Sequence, residues 1–112
     1  MNGPYNLNSD TISQVVTRVL AGAYILSRDG KIAHYVGRSD DDVARRLKWW
    51  ANNTRKYSYF WYEYSSSPKA AFELECTWWH KYNPTDNQSH PDRPEDSNYQ
   101  CPVCNIFKEE RW

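Results

Sequence analysis

The chain has 112 residues, enough for one domain around one hydrophobic core but too few for a second domain of ordinary size, so we expect a single domain over residues 1–112. Its formal net charge is +0, which excludes a general basic field for holding a polyanion, and nine Tyr and six Trp supply much of the apolar surface. No apolar run approaches the ~20 residues of a membrane-spanning helix, and the first residues lack the pattern of a signal peptide, so we expect a soluble, cytoplasmic protein.

The first predicted element is a helix over residues 11–20, which follows a loose polar tail. Asp10 or Thr11 is available as its N-cap, and apolar residues recur at helical spacing along it. The stripe expected to face the core consists of Ile12, Val15, Val16 and Val19. Residues 1–20 are therefore predicted to form an N-terminal tail and helix.

A β-hairpin is predicted next, because the pair Asp29–Gly30 is a strong signal for a two-residue turn. The predicted strands cover residues 23–27 and 31–36. Tyr24 and Tyr35 lie on these strands, and side chains opposite each other on paired strands come close. We therefore expect the two phenols to be neighbours.

Two more helices and one strand complete the predicted elements. Ser39 and the three aspartates after it favour the start of a helix whose apolar residues are Val43, Leu47 and Trp50. Residues 57–64 read as an aromatic strand covered on both faces. The last helix begins at Ser67–Pro68 and ends before Asn83–Pro84, and a polar loop follows.

Glu75 occupies an unusual position for a carboxylate. At about 100° per residue it lies near the middle of the apolar arc of the last helix, whereas Glu73 lies opposite. Such a carboxylate is costly unless it is paired or coordinated. Two interpretations are open: a buried glutamate satisfied by a salt bridge, or a ligand for Mg²⁺, which takes one or two protein carboxylates and keeps several waters.

Two adjacent arginines of the second helix are predicted to face different directions. Arg46 borders the apolar stripe, whereas Arg45 points to solvent. A guanidinium beside Glu75 can hold a phosphate with two hydrogen bonds and oppose charge that develops in a transition state. The alternative is that Arg46 only neutralises Glu75 in a structural ion pair.

Five short motifs, taken in order, resemble the GIY-YIG nuclease family. They span most of the chain and are Gly22–Ala23–Tyr24, Tyr35–Val36–Gly37, Arg46–Leu47, Glu75 and Asn87. The resemblance implies an α+β fold with a small three-stranded antiparallel sheet flanked by helices, here with an extra N-terminal helix. Residues 21–87 correspond to the catalytic core, and residues 88–112 to a C-terminal tail resembling a zinc knuckle.

The resemblance also implies a role for each motif residue. Tyr24 and Tyr35 line the active site, where one phenol orients or deprotonates the attacking water, and the sequence leaves open which. A phenol with a pKa of ~10 is a poor base at neutral pH, so nearby cations must stabilise the phenolate. The remaining implied roles are structural turns for Gly22 and Gly37, phosphate contact for Arg46, binding of one catalytic Mg²⁺ or Mn²⁺ for Glu75, and ordering of the cleft for Asn87.

The chain departs from the family's pattern at several positions. Ala23 and Val36 replace the usual isoleucines, which is a mild change. Many members carry a histidine where this chain has Trp50, so a proton carried there in relatives must pass to a tyrosine, to His34 or to water. Because His34 adjoins Tyr35 in the predicted strand, it points to the opposite face, which favours a structural role.

DNA is the substrate that the resemblance implies, although family nucleases usually take their specificity from an added domain for which this chain has no room. A local basic group interleaved with Trp49 can contact DNA phosphates, and it comprises Arg38, Arg45, Lys48, Arg55 and Lys56. An ordinary solvated helix face explains the same charges. We therefore expect a protein partner or a homodimer to supply specificity.

The three cysteines predict a second metal site in a reducing compartment. Cys101 and Cys104 have a spacing typical of zinc, and Cys76 and His80 lie one helical turn apart on the outer side of the last helix. The predicted structural zinc ligands are therefore Cys76, His80, Cys101 and Cys104, with His90 as the substitute for His80. A Cys101–Cys104 disulfide or unligated thiols are the alternatives.

Taken together, the sequence predicts a metal-dependent endonuclease that hydrolyses DNA phosphodiester bonds with one metal ion. Two alternatives of other classes stay open at this point. The first is a non-catalytic module that binds nucleic acid, and the second is a zinc-stapled subunit of a larger nuclease assembly.

Overall fold

The computed structural model describes residues 1–107, which form a four-stranded antiparallel sheet with helices on both faces. The strands are β1 (Asn2–Asn6), β2 (Gly22–Ser27), β3 (Tyr35–Ser39) and β4 (Tyr59–Tyr64), and the helices are α1 (Ser9–Val15), α2 (Val43–Asn53) and α3 (Pro68–Tyr82). The strand order is β1-β4-β2-β3, so β2 is central and β3 forms an edge. Within residues 1–107, no helix is long and apolar enough to cross a membrane.

The alternation of side chains along β2 divides the core between the two faces of the sheet. Tyr24 and Leu26 point to the side covered by α1 and α2. Ala23 and Ile25 point to the other side, where Trp78 of α3 covers them. Every residue of β2 is buried, which explains why this strand lacks the polar face of an exposed one.

The sheet has one strand more than the expected three, because the N-terminal residues form β1 and not a loose tail. β1 pairs with β4, and the register shifts between Asn2 and Tyr5. The ring centroid of Tyr5 lies 5.6 Å from that of Phe60. The strand is therefore held by pairing with a distant segment, which the local polar composition does not reveal.

Helix α1 ends at Val15, short of the predicted end at residue 20. Its N-cap is Asn8, whose side chain accepts a hydrogen bond from the Thr11 N–H at 2.8 Å, in place of the predicted Asp10 or Thr11. Ile12 is buried as expected, whereas Val19 lies beyond the helix and is 77% exposed. The predicted apolar stripe is thus right only in its first part.

The connection between β2 and β3 is longer than the predicted two-residue turn. Asp29 accepts hydrogen bonds from the backbone N–H groups of Lys31 and Ile32 at 2.8 and 2.9 Å, and these bonds hold the pKa of its carboxyl at about 2. β3 consequently begins at Tyr35 and not at residue 31. The Asp29 side chain thus stabilises a wider loop where the Asp-Gly pair predicted a tight turn.

The two later helices agree more closely with the sequence. α3 has its predicted bounds, with Ser67 as N-cap and Asn83 in the left-handed conformation at its C-terminus. α2 begins after Asp42, the last of the three predicted aspartates, whose side chain caps the helix by accepting from the Arg45 N–H. Ser39 is the last residue of β3, and its hydroxyl oxygen accepts from the Asp42 N–H at 3.1 Å. β4 begins at Tyr59, later than the predicted residue 57.

Candidate functional site

Two tyrosines and one tryptophan form the floor of a site beside β3. Tyr24 of β2 is 1% exposed, and its ring stacks on Tyr35 of β3 with centroids 6.5 Å apart. Trp50 of α2 donates a hydrogen bond from Nε1 to the Tyr24 hydroxyl at 2.8 Å, and its ring lies 4.9 Å from that of Tyr35. The two phenols are neighbours, as expected. They are not directly opposite each other, because Tyr24 pairs with Gly37 and Tyr35 pairs with Leu26, so the two rings meet diagonally across the strand pair.

Two glycines allow this close packing. A Cβ atom on Gly37, which pairs with Tyr24 across the strands, would lie 2.6 Å from the Tyr24 hydroxyl oxygen. A Cβ atom on Gly22 would lie 2.5 Å from the Glu63 carbonyl oxygen. Both glycines are in strands and not in turns, so their role is to leave room for neighbouring atoms.

The environment keeps both phenols protonated at neutral pH. Burial raises the pKa of Tyr24 to about 12, and the neighbouring Tyr35 adds to this, while the hydrogen bond from Trp50 and the charge of Arg46 act against it. Burial and the charge of Glu75 raise the pKa of Tyr35, which Arg46 lowers. Tyr35 thus lies within electrostatic reach of both a carboxylate and a guanidinium.

Arg46 lines an open cleft between the end of β3 and α2. Its guanidinium lies 5.2 Å from the centroid of the Trp49 ring, which is 49% exposed. The neighbouring Arg45 is exposed and pairs with Asp41 at 2.6 Å. The cleft is lined by Arg38, Ser39, Asp40, Asp41, Arg45, Arg46 and Trp49.

Glu75 of α3 is 8% exposed and pairs with Arg38 of β3, not with Arg46. The distance from Arg38 Nη1 to Glu75 Oε1 is 2.6 Å. Burial raises the pKa of the Glu75 carboxyl to about 7, although the charge and hydrogen bond of Arg38 oppose this rise. The buried carboxylate inferred from the helical wheel is confirmed, and the ion-pair partner considered for it is corrected.

Arg38, which is predicted among the DNA contacts, binds three groups of the protein itself. Besides Glu75, it binds the Asp40 carboxylate at 2.8 Å and the Asp92 carbonyl oxygen at 2.7 Å. The sequence did contain the signal for its position, because Val36 and Arg38 are two residues apart in a strand and therefore point to the same side, towards α3.

Asn87 binds the outer edge of β3. Its Oδ1 accepts from the Val36 N–H at 3.2 Å, and its Nδ2 donates to the Val36 carbonyl at 2.7 Å. In addition, the Asn87 carbonyl accepts from Nε1 of Trp79 at 2.7 Å. These contacts fix the segment after α3 against the strand that carries Tyr35.

Asp86 fastens the same segment to the loops before β3 and β4. Its Oδ2 accepts from Arg28 and from the Tyr57 hydroxyl, both at 2.7 Å, and lies 3.3 Å from Nζ of Lys56. Lys56, predicted among the DNA contacts, is therefore engaged in an ion pair. Within residues 1–107, Lys48 and Arg55 of that basic group make no ion pair.

His34 is buried away from the phenols. Its Nδ1 accepts a hydrogen bond from the Arg28 N–H at 3.1 Å, and its backbone N–H donates to the Leu26 carbonyl at 3.0 Å. Both contacts stabilise the end of the hairpin. His34 therefore has the structural role that the sequence favoured.

A second cluster of polar groups lies on the far side of α3, where the structure brings four side chains together that can hold a metal ion. Their ligand atoms lie within 4.8 Å of one another, and the residues are His80, His90, Cys101 and Cys104. His90 thus joins the predicted His80, whereas Cys76 is not part of the group. The three thiols are free in this structure, which contains no Cys101–Cys104 disulfide.

Cys76 was expected on the outer side of α3, but it is fully buried. It packs with Phe72 and Cys101, and half-buried Tyr99 covers this cluster. Burial, with the neighbouring Cys101, raises the pKa of the Cys76 thiol far above its usual range. The C-terminal segment crosses α3 at this point, which the helical wheel of α3 alone does not reveal.

Comparisons with known proteins identify the fold. No family sequence model and no curated protein matches the chain. Among solved structures, the chain is similar to the GIY-YIG N-terminal endonuclease domain of UvrC from Thermotoga maritima bound to magnesium, its catalytic divalent cation, with 21% identity and a TM-score of 0.55. The match covers 68% of this chain and 94% of that domain. A point mutant of the same domain, bound to its catalytic divalent cation, gives a TM-score of 0.54 at 21% identity over 68% of this chain and 93% of its own.

Proposed function

Because the chain has the GIY-YIG nuclease fold, we propose that it is a metal-dependent endonuclease that hydrolyses DNA phosphodiester bonds. The observation that carries the proposal is the buried carboxylate of Glu75, which lies beside Arg38 and within electrostatic reach of Tyr35. Arg46 affects the pKa of both phenols and is the exposed cation at the same place. Two phenols, a carboxylate and a guanidinium are the groups that such a reaction requires.

The donor set of the site suits one hard divalent cation. Glu75 supplies a single carboxylate, and Mg²⁺ or Mn²⁺ bound by one carboxylate keeps several waters. Since the pKa of the free carboxyl is about 7, a cation competes with a weakly held proton at neutral pH. When bound, the cation stabilises negative charge on the phosphate and the leaving oxygen.

The phenols hold and orient the attacking water in this proposal. Indole N–H only donates, so the bond from Trp50 occupies a lone pair of the Tyr24 oxygen and leaves the phenol's hydrogen to point elsewhere. Tyr35 is the half-buried phenol and lies closer to solvent. Because the charges of Arg46 and Glu75 both act on the Tyr35 phenol, Tyr35 is our candidate for the group that contacts the water.

Arg46 is the proposed phosphate ligand. Its guanidinium is exposed in the cleft, and within residues 1–107 it forms no ion pair, whereas Arg38 and Arg45 are each bound to a carboxylate. A planar guanidinium can bind a phosphate with two hydrogen bonds and stabilise charge as it develops. Trp49, beside it, offers an exposed ring on which a base can stack.

The test is cleavage of supercoiled plasmid, forks, flaps and junctions with Mg²⁺ or Mn²⁺ by the wild type and Glu75→Gln. We expect the substitution to lower the rate of metal-dependent cutting by about 10²- to 10³-fold, since the amide cannot replace the charged ligand. Glu73→Gln on the same helix is the matched control and should cut normally. Equal cutting by wild type and Glu75→Gln would contradict the assignment.

The ion pair between Arg38 and Glu75 favours one alternative, a non-catalytic module that binds nucleic acid. In that case Glu75 is a structural partner of Arg38 and has no metal to bind. The same panel separates the two functions. Binding of DNA by folded wild-type protein, without cutting of any substrate in either metal, would support the module.

A further inference from the structure

The four polar groups on the far side of α3 have the dimensions of a tetrahedral metal site. Zinc bonds of about 2.3 Å to sulfur and about 2.0–2.1 Å to nitrogen place neighbouring ligand atoms roughly 3.3–3.8 Å apart. The distance from Cys104 Sγ to His90 Nε2 is 3.4 Å, and all four ligand atoms lie within 4.8 Å of one another. A small contraction around an ion would therefore complete the geometry.

One atom of the cluster lacks any partner in the part of the chain that the structure describes. Nε2 of His80 is buried and makes no hydrogen bond. A buried polar atom without a partner is costly, and native structures rarely retain one without an ion or water. A metal bound at this nitrogen would satisfy it.

The orientation of His90 is fixed by a bond to the backbone. Its Nδ1 lies 2.9 Å from the Pro91 carbonyl oxygen. A carbonyl only accepts, so Nδ1 carries the hydrogen, and Nε2 presents its lone pair towards Cys104. A ring nitrogen held in this way by a carbonyl on its other side is characteristic of metal-binding histidines.

The thiols of Cys101 and Cys104 are also in an environment that suits a metal cation. The sulfur of Cys101 accepts a hydrogen bond from the Val103 N–H at 3.4 Å, and the thiols of Cys101 and Cys104 are free. Hydrogen bonds to sulfur favour the thiolate, which is the form that binds metal. Cys76 packs with Cys101 in the same apolar cluster but is outside the four-ligand group.

We propose that His80, His90, Cys101 and Cys104 hold one structural zinc ion. Four side-chain ligands leave no open position, so the ion stabilises structure and does not act on a substrate. It joins α3 to the segment that crosses it. That segment includes Asp92, whose carbonyl oxygen accepts the hydrogen bond from Arg38 at 2.7 Å, so the ion also supports the arginine that pairs with Glu75.

The direct test is the metal content of the whole chain purified with zinc present. We expect inductively coupled plasma mass spectrometry to find one zinc ion per chain. His90→Ala and Cys104→Ser should each bind zinc at least tenfold more weakly. Cys76→Ala is the matched control, because it removes a thiol from the same region without removing a ligand. It should keep one zinc per chain.

Two outcomes would overturn the proposal. The first is folded wild-type protein that takes up no zinc. The second is loss of zinc from Cys76→Ala together with its retention in His90→Ala, which would restore the set of three thiolates and one imidazole.

Titration of the wild type with Co²⁺ keeps the test decisive if a variant does not fold. The intense visible bands of a tetrahedral site with two thiolates are expected, whereas the weak spectrum of a six-coordinate ion would contradict it. Neither readout depends on cleavage. If no cleavage is found, the zinc measurement is therefore still valid. If no zinc is found, the cleavage measurement is likewise still valid.

Discussion

At the scale of single residues, Glu75 is a carboxylate that the fold removes almost completely from water. Burial raises its pKa to about 7 even though Arg38 lies 2.6 Å away, because the loss of hydration outweighs the attraction of one guanidinium. The same loss of hydration makes the carboxylate a stronger partner for a small divalent cation. In the proposed nuclease, the affinity of Glu75 for the metal therefore depends on pH.

We expect protons and Mg²⁺ to compete for Glu75. With a pKa of about 7, roughly 10% of the carboxyl is ionised at pH 6 and roughly 90% at pH 8. The Mg²⁺ concentration that gives half-maximal cleavage should thus be about tenfold higher at pH 6 than at pH 8. Cleavage rates measured across a Mg²⁺ series at both pH values test this, and an unchanged midpoint would rule out a titrating metal ligand.

Trp50 is a residue at which this chain differs from the usual GIY-YIG pattern. Where many GIY-YIG nucleases carry a histidine, this chain has an indole that donates to the Tyr24 hydroxyl and packs against Tyr35. An indole cannot accept or carry a proton, so its role is to orient the phenol. In the proposed reaction, the proton would therefore have to pass through other groups.

At the scale of elements, the segment after α3 connects separate parts of the fold. Asp86 binds groups that precede β3 and β4, and Asn87 binds β3 itself. Although partial desolvation opposes the effect, hydrogen bonds from Tyr57, Arg28 and Lys56 lower the pKa of Asp86 to about 2. The ionised form of Asp86 is therefore the one that stabilises the native protein.

We expect Asp86→Asn to reduce the free energy of unfolding by about 1–2 kcal/mol at pH 7. Because the folded pKa lies below the unfolded value, the contribution of Asp86 is complete above about pH 4 and is lost as the pH falls through about 2. Urea denaturation of both proteins from pH 7 to pH 2.5 should show the difference narrowing. The exposed Glu95→Gln is the control, and a difference that grows at low pH would contradict the account.

The elements predicted correctly are those determined by local signals. α3 has a cap, a proline and a terminating Asn-Pro pair within its own sequence, so its bounds follow from short-range chemistry. β1 and the wide loop at Asp29 depend on partners that lie elsewhere, namely β4 and the backbone beyond the turn. Local patterns do not contain that information.

The same distinction applies to the site. The positions of Tyr24 and Tyr35 follow from strand patterns, and that of Glu75 from a helical wheel, so the sequence was sufficient to find them. The pairing of Arg38 with Glu75 and the place of His90 beside Cys104 depend on the C-terminal segment folding across α3. The roles of Tyr24, Tyr35 and Glu75 in catalysis stay predictions, as do those of His90 and Cys104 in metal binding.

At the scale of the whole molecule, a net charge of +0 means that the proposed DNA binding depends on a few local cations. Three of the predicted DNA contacts are engaged with carboxylates, namely Arg38, Arg45 and Lys56. Arg46 lines the cleft, whereas Lys48 and Arg55 line other surface depressions. Within residues 1–107, none of these three cations makes an ion pair. The predicted protein partner or homodimer and the cytoplasmic location stay predictions.

We expect weak dependence of DNA binding on salt. About three phosphate contacts correspond to a slope of roughly −3 in a plot of log binding constant against log salt concentration. Fluorescence anisotropy with labelled duplex and the Glu75→Gln variant, between 50 and 200 mM KCl, measures the slope. Combining Lys48→Gln with Arg55→Gln should reduce it by about 2 units, and a slope steeper than about −6 would show that the paired cations also engage DNA.

The amide of Asn87 has a consequence for the solution behaviour of the protein. An edge strand offers free backbone groups to which another chain can add by strand pairing. Asn87 donates to and accepts from Val36 in the way that a neighbouring strand would. The edge of β3 is thus closed at its centre to intermolecular sheet extension, and Asn87 opposes aggregation through this side of the sheet.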